Sequence, residues 1–185
     1  MEKPGLLRVA GFESESIVDG PGLRFTVFFQ GCPHHCPGCH NPETHSYEGG
    51  RLLSAEDILA KVLANELLSG VTFSGGEPME QASSLLPLAK KIREHGLNLV
   101  IFTGYLYETL LKKAEQNPDI TALLSLAMLL VDGPFVLEKK SLELLYRGSS
   151  NQRLIDLPKS LASGKVVLWQ SDFESVFPPI EHDWL

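Results

Sequence analysis

From Leu23 to Asp156 short apolar runs alternate with stretches of helical periodicity, a rhythm that argues for strand-helix-strand units on a parallel sheet. Arg24 to Gln30 (RFTVFFQ), Val71 to Ser74, Leu97 to Thr103 and Ala127 to Asp132 read as strands. The last is almost wholly apolar, as suits a strand covered on both faces. Ser54, with Asp57 three residues on, reads as the N-cap of a helix running to about Leu68. Further helices are expected from Ser83 to His95, stopped by Gly96, and from Tyr107 to Gln116. A short helix near Leu137 to Tyr146, a segment Arg153 to Leu157 and an edge strand at Lys165 to Gln170 complete the expectation, with an irregular tail from Phe177 to Leu185.

A closed eight-unit barrel takes about 250 residues. At 185 residues this chain reaches only a partial one. The expected class is α/β, an incomplete parallel β/α barrel, in one domain over 1–185 with its core at about 11–157 and an extension of unassigned role at 158–185. The formal net charge of -7 disfavours a nucleic-acid or anionic membrane partner, because such a surface repels phosphate. No apolar run approaches the ~18 residues of a membrane span, and the start of the chain has no leader-like apolar run, so a cytoplasmic protein is expected.

All three cysteines fall in one eight-residue segment, Cys32-Pro-His-His-Cys36-Pro-Gly-Cys39, inside the Gly- and His-rich stretch that follows the first strand. An odd number so closely spaced suits metal ligation better than disulfides. Three thiolates on one loop can reach three corners of a [4Fe-4S] cubane and leave the fourth iron without a protein ligand. A free iron of that kind can chelate the amino and carboxylate groups of S-adenosylmethionine. The competing reading is a structural zinc site, closed by His34, His35, His40 or His45.

Ser74-Gly75-Gly76-Glu77-Pro78 ends the second strand, at the position where barrel-type folds build active sites. Its glycines allow close backbone approach, and its carbonyls and Glu77 suit a cationic amino group. Taken alone, the segment is also an ordinary tight turn. Thr103 and Asp132 close the third and fourth strands and are placed at the same mouth, with strand-end capping as their plainer role.

C-x3-C-x2-C after the first strand with GGEP after the second resembles the radical S-adenosylmethionine superfamily. Ile17-Val18-Asp19-Gly20-Pro21-Gly22-Leu23-Arg24, Phe28-Phe29-Gln30-Gly31-Cys32 and Cys39-His40-Asn41-Pro42 resemble its activating enzymes of glycyl-radical proteins. Leu130-Val131-Asp132-Gly133 and Arg147-Gly148-Ser149-Ser150-Asn151-Gln152-Arg153 resemble the branch serving anaerobic ribonucleoside-triphosphate reductase. The likeness spans roughly Gly11 to Leu157.

The resemblance implies one [4Fe-4S] cluster on Cys32, Cys36 and Cys39, and S-adenosylmethionine as the second cofactor. It implies cofactor contacts from Gly38, His40 and Ser74 to Pro78, with Thr103 and Asp132 at the mouth and Arg147, Ser149 and Asn151 against the ribose or carboxylate. Asp19, Gly20, Pro21 and Gly22 would shape the entrance for the partner. The implied reaction is reductive cleavage of S-adenosylmethionine, followed by removal of a glycine Cα hydrogen in anaerobic ribonucleotide reductase. With no cysteine to spare for a second cluster, the electron would come from an external flavodoxin or ferredoxin. Two departures stand out: Gly38 occupies the place where an aromatic residue often packs on adenine, and His40 stands where this branch often has tyrosine. The alternatives are a radical enzyme for a small molecule, similar to 7-carboxy-7-deazaguanine synthase, and a zinc-stabilised interaction domain.

Overall fold

A computed structural model of the protein describes residues 5–170, so the expected irregular tail lies outside the described residues. In chain order the first half holds β1 (Leu6–Ser16), β2 (Arg24–Phe29), β3 (Arg51–Ser54), α1 (Ala55–Val62), β4 (Gly70–Gly75) and α2 (Ala82–Glu94). The second half holds β5 (Asn98–Phe102), α3 (Tyr107–Ala114), α4 (Pro118–Leu126), β6 (Leu129–Asp132), β7 (Arg153–Asp156) and α5 (Leu157–Ser163). One sheet joins the strands in the order β3-β1-β2-β4-β5-β6-β7 and stays open.

The expected parallel core is present: β2, β4, β5 and β6 run side by side in one direction. The outer strands do not follow it, since β1 and β3 on one edge and β7 on the other run antiparallel. Alternation along the parallel strands separates two faces. Phe25, Val27, Phe29, Val71, Phe73, Leu99, Ile101 and Leu130 pack with Ile58 of α1, Leu88 of α2, Leu110 of α3 and Leu123 of α4 in the main core. On the opposite face Val100, Leu129, Val131 and Leu154 form a smaller cluster with Phe102 and Tyr146, and no residue of α1 to α4 joins it. That face is left to the loops.

Local chemistry explains the element boundaries. The capping box at Ser54 forms as expected: the Ser54 hydroxyl accepts from the Asp57 N–H and the Asp57 carboxylate accepts from the Ser54 N–H. The helix stops at Val62 rather than near Leu68, where the Asn65 side chain takes the Leu67 N–H at 2.9 Å into a turn. The helix expected over Leu137 to Tyr146 shrinks to a single 3-10 turn, Leu137–Lys139, because Lys140 pairs with Ser149 in an antiparallel bridge. Lys165 to Gln170 contributes one bridge, Leu168 to Ile155, instead of a strand.

Candidate functional site

The loops after β2, β4, β5 and β6 surround a cavity of about 470 Å³ at the C-terminal ends of the parallel strands, the usual location of ligand sites in parallel sheets. Cys32, Cys36 and Cys39 border it together with Ser74, Gly75 and Gly76. All three thiols are free of disulfides.

The cysteine loop is tied down at its base. Gly31 N–H donates to Thr44 O at 2.8 Å and Cys32 N–H to His45 O at 3.1 Å. The buried Gln30 side chain donates to Glu43 O at 3.0 Å and to Ser46 O at 2.6 Å. The turn after β4 grips the same base, with Gly76 N–H on Phe29 O and Glu77 N–H on Gly31 O, both at 2.8 Å. A Cβ on Gly76 would lie 2.4 Å from Gly31 O, so glycine here brings the two backbones together. The close approach expected of this glycine toward a ligand is made first to the cysteine loop.

Glu77 is fully buried and its carboxylate is already occupied. Thr103 Oγ1 donates to Oε1 and Oε2 at 2.9 and 3.0 Å, Gly104 N–H to Oε2 at 2.8 Å, and Met79 N–H to Oε1 at 3.0 Å. His34 Nε2 meets Oε2 at 2.8 Å. A carboxylate has about four acceptor sites, so little capacity remains for a ligand amine. Through these contacts Glu77 joins the cysteine loop to the ends of β4 and β5. Glu77→Gln would turn one acceptor into a donor facing donors and should cost about 2 kcal/mol of stability in chemical denaturation. An unchanged midpoint would contradict this role.

Burial pushes the Cys32 and Cys36 thiols up from their ordinary range, and the Glu77 charge adds to the effect. Backbone N–H groups oppose it, those of His34 and His35 at Cys32 and that of Phe135 at Cys36. Asn41 N–H donates to Cys39 Sγ at 3.4 Å. Sulfurs at least partly shielded from water and supplied with peptide donors suit thiolates bound to iron. Among the described residues no group of three His, Cys, Asp or Glu side chains is arranged to hold a metal ion.

Of the other expected site residues, His40, Thr103 and Asp19 border the cavity. Asp19 is held there by Ser16 Oγ at 2.6 Å and Thr26 Oγ1 at 3.0 Å, both donating to its Oδ2. Gly20, Pro21 and Gly22 complete this loop around Arg24, which donates to Pro21 O at 2.9 Å. Pro78 begins the 3-10 turn Pro78–Gln81. Gly38 lies on the cysteine loop at φ +72.

Asp132 is fully buried, accepting from Tyr107 N–H at 2.8 Å and from Arg153 Nε at 3.0 Å. Asp132 and Glu108 together raise the Arg153 pKa. In the polar run, Ser149 Oγ accepts from Val136 N–H and Asn151 Nδ2 donates to Pro134 O. Arg147 Nη1 donates to Gln152 O at 3.0 Å. The run therefore braces the 133–136 loop, and Gly148 and Gln152 are its cavity-lining members. Arg147 Nε and Asn151 Oδ1 are buried without a partner, as is His45 Nε2 on the cavity wall.

Sequence reasoning did not single out Arg24, Phe135 or Gln152. Their roles come from contacts between distant segments, for which one sequence carries no local signal.

Residues 18–155 match the family model described as a 4Fe-4S single cluster domain. The chain is 36% identical over 144 residues to the anaerobic ribonucleoside-triphosphate reductase-activating protein of Escherichia coli K12, covering 74% of this chain and 90% of that one. The chain belongs to the radical S-adenosylmethionine activase family. As a member it is also 43% identical over 117 residues to the pyruvate formate-lyase-activating enzyme of Clostridium pasteurianum, covering 58% of this chain and about half (49%) of that one. With the Escherichia coli K12 pyruvate formate-lyase 1-activating enzyme the activase shares 32% identity over 168 residues, 88% of this chain and 65% of the relative. A crystal structure of QueE from Escherichia coli overlaps 54% of the chain and 53% of its own, at a TM-score of 0.43 and 21% identity. The family's cofactors are a [4Fe-4S] cluster and S-adenosylmethionine, and the donor set at the cavity, three free thiols with peptide N–H groups beside them, fits the cluster.

Proposed function

We propose that this chain generates a glycyl radical on a partner enzyme, anaerobic ribonucleoside-triphosphate reductase, in the cytoplasm, drawing its electron from a flavodoxin or ferredoxin. The observation that carries the reading is the shared cavity: three free cysteines and the backbone of Ser74 to Gly76 face one space at the ends of the parallel strands. Similarity to the Escherichia coli reductase-activating protein over 90% of its length favours that partner.

Cys32, Cys36 and Cys39 would hold three irons of a cluster and leave the fourth open to the amino and carboxylate groups of S-adenosylmethionine. A cluster held there would supply, once reduced, the electron for reductive cleavage of the S–C5′ bond, the chemistry that leads to removal of a glycine Cα hydrogen. With Glu77 occupied, the carbonyls of Ser74 to Gly76 are left to accept from the methionyl ammonium. Of the polar run, Gly148 and Gln152 line the cavity and would approach the cofactor's ribose. Asp19, at the cavity edge beside exposed Ile17 and Val18, belongs to the entrance a glycine-bearing loop would use.

The test is anaerobic incubation of the reconstituted, reduced chain with S-adenosylmethionine and the reductase. A glycyl doublet in the electron paramagnetic resonance spectrum of the reductase is the expected result. Cofactor cleavage with no such doublet, under conditions where a small molecule is turned over, would move the assignment to a small-molecule radical enzyme.

A further inference from the structure

We infer that Phe135, set against His40, supplies the aromatic surface on which the adenine of S-adenosylmethionine rests, in place of the ring that Gly38 lacks. The inference rests on the functional reading above.

The purine of a bound nucleoside needs a flat apolar partner to leave water. The position before Cys39 cannot provide one. Gly38 has φ +72, where side chains are strained, and a Cβ there would stand 2.8 Å from Leu137 Cδ1. A ring at 38 would strain the backbone and push the Leu137 side chain aside.

Beside that position the cavity rim does carry rings. Phe135 and His40 both line the cavity, with centroids 5.0 Å apart and planes tilted by 50°. His40 follows Cys39 directly, and Phe135 comes from the loop after β6, so the pair closes the gap between the cysteine loop and the far edge of the parallel sheet. Gly148 holds both from behind: a Cβ on it would lie 3.1 Å from Phe135 Cδ2 and 3.1 Å from His40 Cε1.

The loop carrying Phe135 is braced on each side of it. Gln152 Nε2 donates to Gly133 O at 3.1 Å, Asn151 Nδ2 to Pro134 O at 2.8 Å, and Val136 N–H to Ser149 Oγ at 3.2 Å. Four consecutive residues, 133 to 136, thus contain three that are fixed by the polar run at 147–152, and the fourth is Phe135. A side chain that is only half-buried although its backbone is pinned on both sides has a surface available to a ligand. The other two phenylalanines on the cavity, Phe28 and Phe102, belong to strands β2 and β5 and form its floor instead.

The experiment compares wild type, Phe135→Ala and Phe135→Tyr as anaerobically reconstituted full-length proteins with equal iron and sulfide content. Binding of S-adenosylmethionine, 5′-deoxyadenosine and methionine is measured by calorimetry. Stacking of a base on an aromatic side chain is worth enough that Phe135→Ala should weaken the two adenine-bearing probes about tenfold or more. Methionine affinity should not change, and Phe135→Tyr should keep most of the adenosine affinity. Equal binding of 5′-deoxyadenosine by wild type and Phe135→Ala overturns the assignment alone, as does an equal loss for all three probes. A wild type with an intact cluster that binds no S-adenosylmethionine overturns the functional reading and this assignment with it.

Discussion

Cys36→Ala is expected to abolish S-adenosylmethionine cleavage, with iron falling far below the ~4 per chain of a full cubane, while the apo fold is preserved. With one of three thiolates gone, a cubane is left with two protein anchors, and no other cysteine exists to replace the lost one. The fold should not notice. Cys36 is only partly buried and lies on a loop whose anchors are at Gly31, Cys32 and Gln30, and the main core contains no cysteine. Iron and sulfide analysis, far-ultraviolet circular dichroism and a 5′-deoxyadenosine assay check the three parts separately. Full cluster content in the variant would show that another group ligates the iron at that corner.

Arg24→Leu is expected to destabilise the protein by about 3–5 kcal/mol. Arg24 has no exposed surface and donates to five different oxygens: Thr72 Oγ1 at 2.6 Å, Val71 O at 2.6 Å, Asn98 Oδ1 at 2.7 Å, Pro21 O at 2.9 Å and Asn98 O at 3.5 Å. Burial pulls its pKa down to about 10, which still leaves it charged at neutral pH. Leucine fills part of the volume and leaves those acceptors without a donor. The damage should reach the site, because Thr72 in turn donates to Asp19 O at 2.7 Å and Pro21 lies in the same entrance loop. Arg24→Lys keeps a charge but not the planar fork and should recover only part of the loss. Denaturant midpoints for the two variants decide this, and a Leu variant within 1 kcal/mol of wild type, well below the range expected for this site, would contradict it.

The parallel core was legible because each of its strands is an apolar run set off by glycine or polar residues. The same logic failed where those boundaries are missing. The strand at Ala127 to Asp132 was read, but helix α4 directly before it (Pro118–Leu126) was not, because its apolar residues run into the strand with no glycine or charged residue between. β1 was missed for a different reason: its C-terminal half is largely exposed and its pairing slips twice, between Val9 and Gly11 and between Glu13 and Ser16. Its alternation is therefore blurred.

In the site, the cysteines and the Gly75-Gly76 turn stood out because their spacing is a local signal, and the structure sets them on one cavity. Glu77 shows the limit of such reading. The motif carries no signal of the partners its oxygens find, Thr103, Gly104 and His34, which only the folded chain brings near. Asp132 and the 147–152 run behave likewise: residues at strand ends and in a polar loop serve as braces for neighbours that face the cavity.

The most direct measurement is the yield of 5′-deoxyadenosine and methionine when the anaerobically reconstituted, reduced wild type is mixed with S-adenosylmethionine. Formation of both products in equal amounts, dependent on reductant and on iron, is the expected result. A fully loaded, reduced cluster that leaves the cofactor intact would contradict the central claim that three cysteines here hold a cluster with one iron open to S-adenosylmethionine.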